Sequence, residues 1–191
     1  MEICLIRHGK PQFWDRYEPH TVISGDQVEN AVLDYYNSGI QKSSFPPQYS
    51  IKAAQSAAVA FCSGLKRTVE TAAALGLSCS LISNPLFRET EVPFGFWKRL
   101  KMPLIVWFVI SRTGWLLGLP FKGETVELAR LRAEQAASFL IKAAQVNGKV
   151  LLVGHGFMNS MIFRALQKKK WKSSRPFNGK FWGCNVLVYK D

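Results

Sequence analysis

The sequence has few cysteines, and none lies in a recognisable pair. Its four cysteines stand singly, without a Cys-x-x-Cys pair or a zinc-finger spacing, and three of them fall in apolar stretches. Buried, reduced thiols are therefore expected, which favours a cytoplasmic location. No cluster with metal-ligand spacing is visible, so we expect neither a metal nor another cofactor. Met1–Arg7 also lacks the basic start and long apolar core of a signal peptide.

Acidic residues are also scarce. The chain carries 13 acidic residues against 25 basic ones, a formal charge of +12. Such a balance favours acidic partners: phosphorylated metabolites, nucleic acid or an anionic membrane surface. The densest basic run, residues 168–172, has no nucleic-acid motif beside it and is interpreted as a solvated helix end, so no nucleic-acid partner is expected.

The length and apolar content predict one folded domain. The 191 residues, 48% of them apolar, are enough for a single domain covering 1–191. Strands are predicted at 2–6, 57–62, 77–82, 149–153 and 185–189; helices at 26–37, 65–75, 124–145 and after residue 156; and irregular segments at 10–26 and 41–50. Strands alternating with helices predict a three-layer α/β/α sandwich with a mostly parallel sheet.

Polar residues follow several of these strands. His8 and His155, each flanked by glycine, come directly after a predicted strand, as does Ser63. Glu91 follows the third strand after a short loop. Ligands of parallel sheets bind beyond the carboxyl ends of the strands, so we expect these side chains to share one edge of the sheet.

Five segments together resemble one family. They are Leu5–Gly9, Ser63–Ala72, Phe87–Trp97, Gly123–Thr125 and Val153–Gly156. In this order they resemble the motifs of the histidine phosphatase superfamily, which has the phosphoglycerate mutase-like fold. One such match is weak evidence, whereas the ordered set covers most of the chain.

The resemblance implies a metal-independent phosphatase acting on a small phosphorylated substrate. His8 is the expected nucleophile and forms a phosphohistidine, while His155 donates a hydrogen bond to the transferring group. Glu91 is the expected acid and base, with Glu89 as the alternative, two residues away. A histidine nucleophile has to be neutral, and neighbouring guanidinium groups disfavour its protonation.

Arg7, Arg67, Ser63 and Gly9 are the expected phosphate ligands. Arginine binds phosphate through paired hydrogen bonds, which suits Arg7 and Arg67. Ser63 either caps the following helix, binds phosphate, or does both. Three further residues, Glu124, Thr125 and Gly156, are secondary candidates for the site. For Glu124 and Thr125 the alternative is that they only form the start of the following helix.

One motif departs from the family pattern. Family members that bind phosphoglycerate carry Thr or Ser two residues beyond the first motif's glycine, and Asn soon after. Here Gly9 is followed by Lys10 and Pro11. Hydrolysis is therefore expected, and mutase activity is not.

The stretch 92–123 is the second departure, because it contains no acidic residue and is almost wholly apolar from 102 to 120. We interpret it as a lid-like insertion over the pocket. Two alternatives stay open: contact of residues 98–119 with an anionic membrane surface, and a membrane span, which needs about 20 apolar residues. A span would separate the two halves of the active site.

Three functional hypotheses follow. The first is a phosphatase of phosphomonoesters. The second is a catalytically silent relative that binds phosphate or another anion in the same pocket. The third is a basic membrane-surface protein acting on a lipid-like phosphate.

Overall fold

The computed structural model describes residues 1–91, 97–119 and 123–189. Its strands are β1 (Glu2–Arg7), β2 (Val22–Ser24), β3 (Val59–Cys62), β4 (Leu81–Ser83), β5 (Lys101–Pro103), β6 (Lys149–Gly154) and β7 (Cys184–Val188). Its helices are α1 (Phe13–Arg16), α2 (Gly25–Asn37), α3 (Gln48–Gln55), α4 (Lys66–Ala74), α5 (Leu104–Leu116), α6 (Val126–Asn147) and α7 (Gly156–Lys168), with a 3₁₀ turn at Pro85–Phe87.

The central sheet is mostly parallel, as predicted. Within the described ranges it has five strands in the order β4-β3-β6-β1-β7. The first four are parallel to one another, and β7 runs antiparallel to β1. The carboxyl ends of β1, β3 and β6 therefore lie side by side at one edge.

Alternate residues of β1 face two different helical layers. Ile3 and Leu5 pack into a cluster with α6 and α7, whereas Cys4 and Ile6 pack into a second cluster with α3 and α4. This two-residue period is the strand geometry itself, and it explains why the buried strands are apolar on both faces. The predicted three-layer α/β/α sandwich is confirmed.

A third apolar cluster lies apart from the sheet. Leu104 and Trp107 of α5 are fully or almost fully buried against α2 residues such as Val28 and Ala31. The short sheet of β2 and β5 ties the same segment down, pairing Ile23 with Met102. Residues 97–119 are thus folded onto the protein. Residues 92–96 and 120–122 of the predicted insertion lie outside the described residues.

Several predicted boundaries were wrong. The loop predicted at 41–50 ends early, because α3 begins at Gln48 with Pro47 as its N-cap. Pro46 and Pro47 were interpreted as part of the loop, although proline is also compatible with the start of a helix. The strand predicted at 57–62 begins later, at Val59. The strand predicted at 77–82 is shortened to β4, because pairing with β3 starts only at Leu81.

Other differences are small or local. The segment predicted as irregular at 10–26 contains α1 and β2, and the long helix begins at Val126 rather than 124. Thr125 is its N-cap, since the Thr125 hydroxyl accepts a hydrogen bond from the Leu128 N–H.

No helix in the described part of the chain is both long and apolar enough to cross a membrane.

Candidate active site

Two histidines meet at the carboxyl edge of the sheet. His8 follows β1, His155 follows β6, and these strands are parallel neighbours. Both side chains are fully buried. Their ring centroids lie 5.2 Å apart, with the ring planes at 64°. The fold thus brings together two imidazoles that are far apart in the chain.

One ring nitrogen of His8 is held by a backbone carbonyl, and the other has no hydrogen-bond partner in the part of the chain that the structure describes. Its Nδ1 lies 2.7 Å from the Gly9 carbonyl oxygen. Because a carbonyl only accepts, Nδ1 carries the proton and Nε2 carries the lone pair. Nε2 is buried and has no hydrogen-bond partner among the described residues. This tautomer is the one that a nucleophilic Nε2 requires.

His155 is held at both ring nitrogens. The Arg67 Nη2 lies 3.4 Å from Nδ1, and the Ser63 Oγ lies 2.8 Å from Nε2. Since a guanidinium only donates, Nδ1 accepts and Nε2 donates to Ser63. Ser63 in turn lies 3.1 Å from the Thr68 hydroxyl, which donates to the Leu65 carbonyl. The donor of His155 therefore points to Ser63 in this arrangement.

Ser63 also serves the start of α4. The N-cap of α4 is Leu65, which makes no side-chain cap, and the Leu65 N–H donates to the Ser63 Oγ at 3.3 Å. Ser63 thus combines a contact with the start of α4 and a hydrogen bond to His155.

Two arginines reach the histidines from different elements. Arg67, fully buried on the first turn of α4, donates from Nη1 to the Tyr35 and Tyr36 carbonyls at 3.0 and 3.1 Å. Arg7 donates from Nη1 to the Gly179 carbonyl at 2.6 Å. The Nε–H of each arginine is buried and has no partner among the described residues. A buried donor of this kind is costly unless a ligand uses it.

The surroundings keep both histidines neutral. Burial, and then the charge of Arg67, hold the pKa of His8 well below its ordinary value of 6.5; Arg7 acts in the same direction, and the hydrogen bond to Gly9 opposes it. Burial is also the largest cause of the lowered pKa of His155, followed by His8 and Arg67. The sequence analysis attributed the neutral state of His8 to the neighbouring arginines, but burial lowers the pKa of His8 more than their charges do.

Space for a side chain is limited at Gly9, on the loop after β1, and at Gly156, the first residue of α7. A Cβ on Gly9 would lie 2.5 Å from the Trp182 ring. A Cβ on Gly156 would lie 3.0 Å from the Arg7 Nε. The Gly9 N–H donates to the Thr71 hydroxyl at 3.0 Å. These close approaches fix the backbone that carries His8 and the side chain of Arg7.

Glu89 faces the start of α7. Its carboxylate accepts hydrogen bonds from the N–H groups of Phe157 at 3.2 Å, Met158 at 2.9 Å and Thr90 at 3.0 Å. His155 is the N-cap of the same helix. A carboxylate suits the positive end of a helix, so the first turn of α7, directly after His155, holds Glu89.

Glu91 lies elsewhere. It is exposed, and its carboxylate accepts a hydrogen bond from the Glu124 N–H at 3.2 Å. The Glu124 carboxylate pairs with Arg132 at 2.6 Å, and Thr125 caps α6. Glu91, Glu124 and Thr125 therefore form contacts around the start of α6, whereas Glu89 contacts the start of α7.

A cavity of about 510 Å³ is lined by Arg7 and Gly156, the sequence neighbours of His8 and His155, whereas the two fully buried histidines are not among its lining residues. This size falls in the range of small-molecule sites. Its charged lining comes from Arg7, Glu89 and Arg112, and its apolar and aromatic lining from Trp14, Tyr35, Ile105, Phe108, Val109 and Phe157.

Arg112 was not predicted as a site residue. From α5 it donates to the Thr90 hydroxyl at 2.7 Å, and its guanidinium lies 4.6 Å from the Phe157 ring centroid. Burial lowers the pKa of Arg112, and the charge of Glu89 opposes this. The signal in the sequence was a single cation inside an apolar stretch, which needs a specific partner when it is buried.

No group of three or more His, Cys, Asp or Glu side chains in the described ranges is arranged to hold a metal ion.

Solved structures share this fold. The product of open reading frame Rv3214 of Mycobacterium tuberculosis is 16% identical, with a TM-score of 0.62 over 99% of this chain and 91% of that one. A histidine-to-alanine variant of phosphoserine phosphatase from Entamoeba histolytica is 17% identical, with a TM-score of 0.60 over 99% and 91%. A mycobacterial glucosyl-3-phosphoglycerate phosphatase is 19% identical, with a TM-score of 0.55 over 87% and 82%. At these identities the likeness shows the fold alone.

The sequence itself identifies the family. A comparison with curated proteins finds no match. The profile of the histidine phosphatase superfamily (branch 1) matches residues 48–191, about three quarters of the chain. The match includes Ser63, Arg67 and His155, and His8, which precedes it, packs against His155. The chain belongs to the histidine phosphatase superfamily.

Proposed function

We propose that the protein is a phosphatase that hydrolyses a phosphomonoester through a covalent phosphohistidine on His8. The observation that carries this proposal is the free, buried Nε2 of His8, with Nδ1 held by the Gly9 carbonyl at 2.7 Å. Nε2 attacks phosphorus, and the bond from phosphorus to the alcohol oxygen breaks. Water then attacks the phosphohistidine, releasing phosphate and regenerating neutral His8.

The buried arginine donors support the phosphate-binding part of the proposal. Arg7 and Arg67 each keep a buried Nε–H without a partner among the described residues. In phosphoryl transfer, catalysis depends mostly on positioning and on positive charge around the transferred oxygens. We assign the phosphate to the space that these donors and His8 share, with the Gly9 backbone beside it.

We assign the proton transfers to Glu89 rather than Glu91. Glu89 lines the cavity together with Arg7, whereas Glu91 is exposed and bonded to the Glu124 N–H. Glu89 protonates the leaving alcohol oxygen in the first step, and in the second its carboxylate takes a proton from the attacking water.

A pair of variants tests the nucleophile. His8→Ala removes the ring, while His8→Asn retains a donor for the Gly9 carbonyl, so its fold is expected to be unchanged. Both should lower kcat for 4-nitrophenyl phosphate at least about 1,000-fold, whereas His20→Ala, at an exposed histidine, should not. Rapid acid-free quenching should trap an acid-labile phosphoprotein only when His8 is present. Full activity in His8→Asn would reject the mechanism.

The acid is tested by leaving-group dependence. Glu89→Gln should lower kcat/KM for an alkyl phosphate by about 100-fold or more and kcat/KM for 4-nitrophenyl phosphate much less, because kcat/KM reports the first step and the nitrophenolate leaving group needs no proton. Glu91→Gln should act similarly on both substrates. The reverse pattern would assign the acid to Glu91.

The silent-relative hypothesis predicts a different result in the same experiments. A protein that binds inorganic phosphate by calorimetry, but hydrolyses no ester in a broad panel, would support it. Mutase activity is not proposed, because Lys10 and Pro11 replace the hydroxyl pattern of phosphoglycerate-binding relatives.

A second candidate function, docking to an anionic membrane, is favoured by the surface of residues 97–119. Trp97, Leu117 and Leu119 are 59%, 75% and 53% exposed, and Lys98 and Arg99 are exposed beside Trp97. Apolar anchors with adjacent cations are typical of interfacial contacts. The test is sedimentation with phosphatidylserine vesicles against neutral ones. Equal recovery in both supernatants would reject this candidate.

A further inference from the structure

The cavity lined by Arg7 and Gly156 has one charged end. Arg7 contacts Gly156, Glu89 binds the N–H groups of Phe157 and Met158, and Arg112 stacks over the Phe157 ring. All three charged lining residues therefore gather around the first turn of α7, next to His155. The phosphate of a bound ester belongs at this end.

The wall that α5 supplies before Arg112 is apolar. Ile105, Phe108 and Val109 lie on one face of α5, at helical spacing, and line the cavity. Phe108 is part of an aromatic group: its ring centroid lies 6.5 Å from that of Trp14 and 6.3 Å from that of Tyr35. A leaving group that extends from the charged end meets hydrocarbon and aromatic surface.

Three of the five N–H groups of Arg112 are bound within the protein. Its Nη1 donates to the Thr90 hydroxyl at 2.7 Å and to the Glu91 carbonyl at 3.4 Å, and its Nη2 to the Thr90 carbonyl at 3.5 Å. A phosphorylated carboxylic acid would need a free cation on the leaving-group side. Before Arg112, the described lining from α5 consists of the apolar side chains Ile105, Phe108 and Val109.

We propose that the site is built for phosphomonoesters whose alcohol carries a bulky apolar or aromatic group, which lies against Phe108 and Val109 of α5. The proposal rests on the phosphatase function proposed above and specifies its substrate class. A cavity of about 510 Å³ is large for a phosphate with a short polar alcohol. Burying a bicyclic aromatic group against this wall should raise affinity at least about tenfold.

The experiment compares two alkyl phosphates with equally poor leaving groups, 2-(1-naphthyl)ethyl phosphate and ethyl phosphate. Both release a primary alcohol, so a difference in kcat/KM reports contacts to the organic group. The same pair of groups as phosphonates, which cannot be hydrolysed, gives dissociation constants by calorimetry. We expect the naphthyl compound to be favoured at least about tenfold in both measurements.

Val109→Asn is the test variant, since Val109 lines the cavity and is 56% exposed, so the fold should tolerate the change. Leu116→Asn is the matched control on the same helix, at a residue that is 45% exposed and outside the cavity lining. The naphthyl preference should fall about three- to tenfold in the first variant and stay unchanged in the second.

The outcomes separate the two proposals. Hydrolysis of both esters with no naphthyl preference overturns the substrate class and leaves the phosphatase standing. A binding preference that Val109→Asn weakens, without hydrolysis of any ester, supports the apolar site and rejects the phosphatase. If Leu116→Asn and Val109→Asn weaken the naphthyl preference equally, the assignment of the apolar group to the surface of Phe108 and Val109 is wrong.

Discussion

Acidification should destabilise the protein through its buried histidine pair. Burial and the neighbouring arginines hold the pKa values of His8 and His155 well below the ordinary value of 6.5. Below pH 6.5 the unfolded chain therefore binds protons that the folded chain does not. The contribution of the histidine pair to the free energy of unfolding is fully present above this pH and is lost as the pH drops toward the folded-state pKa values. The slope is up to about 1.4 kcal/mol per pH unit for each histidine.

The assay is urea unfolding, followed by tryptophan fluorescence and circular dichroism, between pH 7.5 and 5. Staying above pH 5 keeps most carboxylate titration out of the window. His8→Asn removes one of the two buried imidazoles, so its slope should be clearly shallower than that of the wild type. His20→Gln, at an exposed histidine, should leave the slope unchanged. A wild-type free energy of unfolding that is constant from pH 7 to 5.5 would refute the assigned neutrality of the pair.

Three substitutions test the packing and hydrogen bonds of the site. Gly9→Ala places a Cβ 2.5 Å from the Trp182 ring, and should cost about 1–3 kcal/mol in thermal or urea unfolding and lower phosphatase activity; wild-type stability would contradict the close approach. Ser63→Ala leaves the Nε2–H of His155 without its acceptor and should cost about 1–3 kcal/mol, with restoration by Ser63→Thr as the control. Arg132→Met removes the ion pair to Glu124 and the hydrogen bonds to the Leu86 and Arg88 carbonyls, close in sequence to Glu89. It should lower the free energy of unfolding by about 1–3 kcal/mol and lower kcat more than it changes KM. An unchanged kcat would show that Arg132 does not position Glu89.

The parts of the site carried by the sheet were predictable from the sequence. His8 and His155 each follow an apolar strand directly, and the carboxyl ends of parallel strands share an edge, so their meeting follows from topology. Ser63 follows β3 in the same way. The helix boundaries were less secure, because the prolines before α3 are compatible with both a loop and a helix start.

The parts carried by irregular segments and by backbone atoms were not predictable. Glu89 and Glu91 are two residues apart in a segment without helical or strand periodicity, so no pattern indicates which one faces the cavity. Arg67 is positioned by the carbonyls of Tyr35 and Tyr36, and a carbonyl leaves no trace in the sequence. The role of Arg112 depends on how α5 folds back, which only the tertiary structure shows.

The electrostatics of the free site lead to a prediction about how His155 responds to phosphate. In the free protein its Nδ1 accepts from Arg67 and its Nε2–H is bound to Ser63, so neither nitrogen offers a proton to a ligand. Burial lowers the pKa of His155 most, neighbouring positive charge lowers it further, and a phosphate dianion beside Arg7 and Arg67 would offset this second effect. We therefore expect phosphate binding to raise that pKa, so that the ring gains a proton on Nδ1 and turns it from an acceptor into a donor. Nitrogen-15 NMR of the imidazoles at pH 6.5, with and without inorganic phosphate, would show one ring becoming doubly protonated on binding, and Arg67→Met would identify the arginine responsible. A neutral His155 at saturating phosphate would refute this coupling and leave His155 a positioning residue for Ser63 and Arg67.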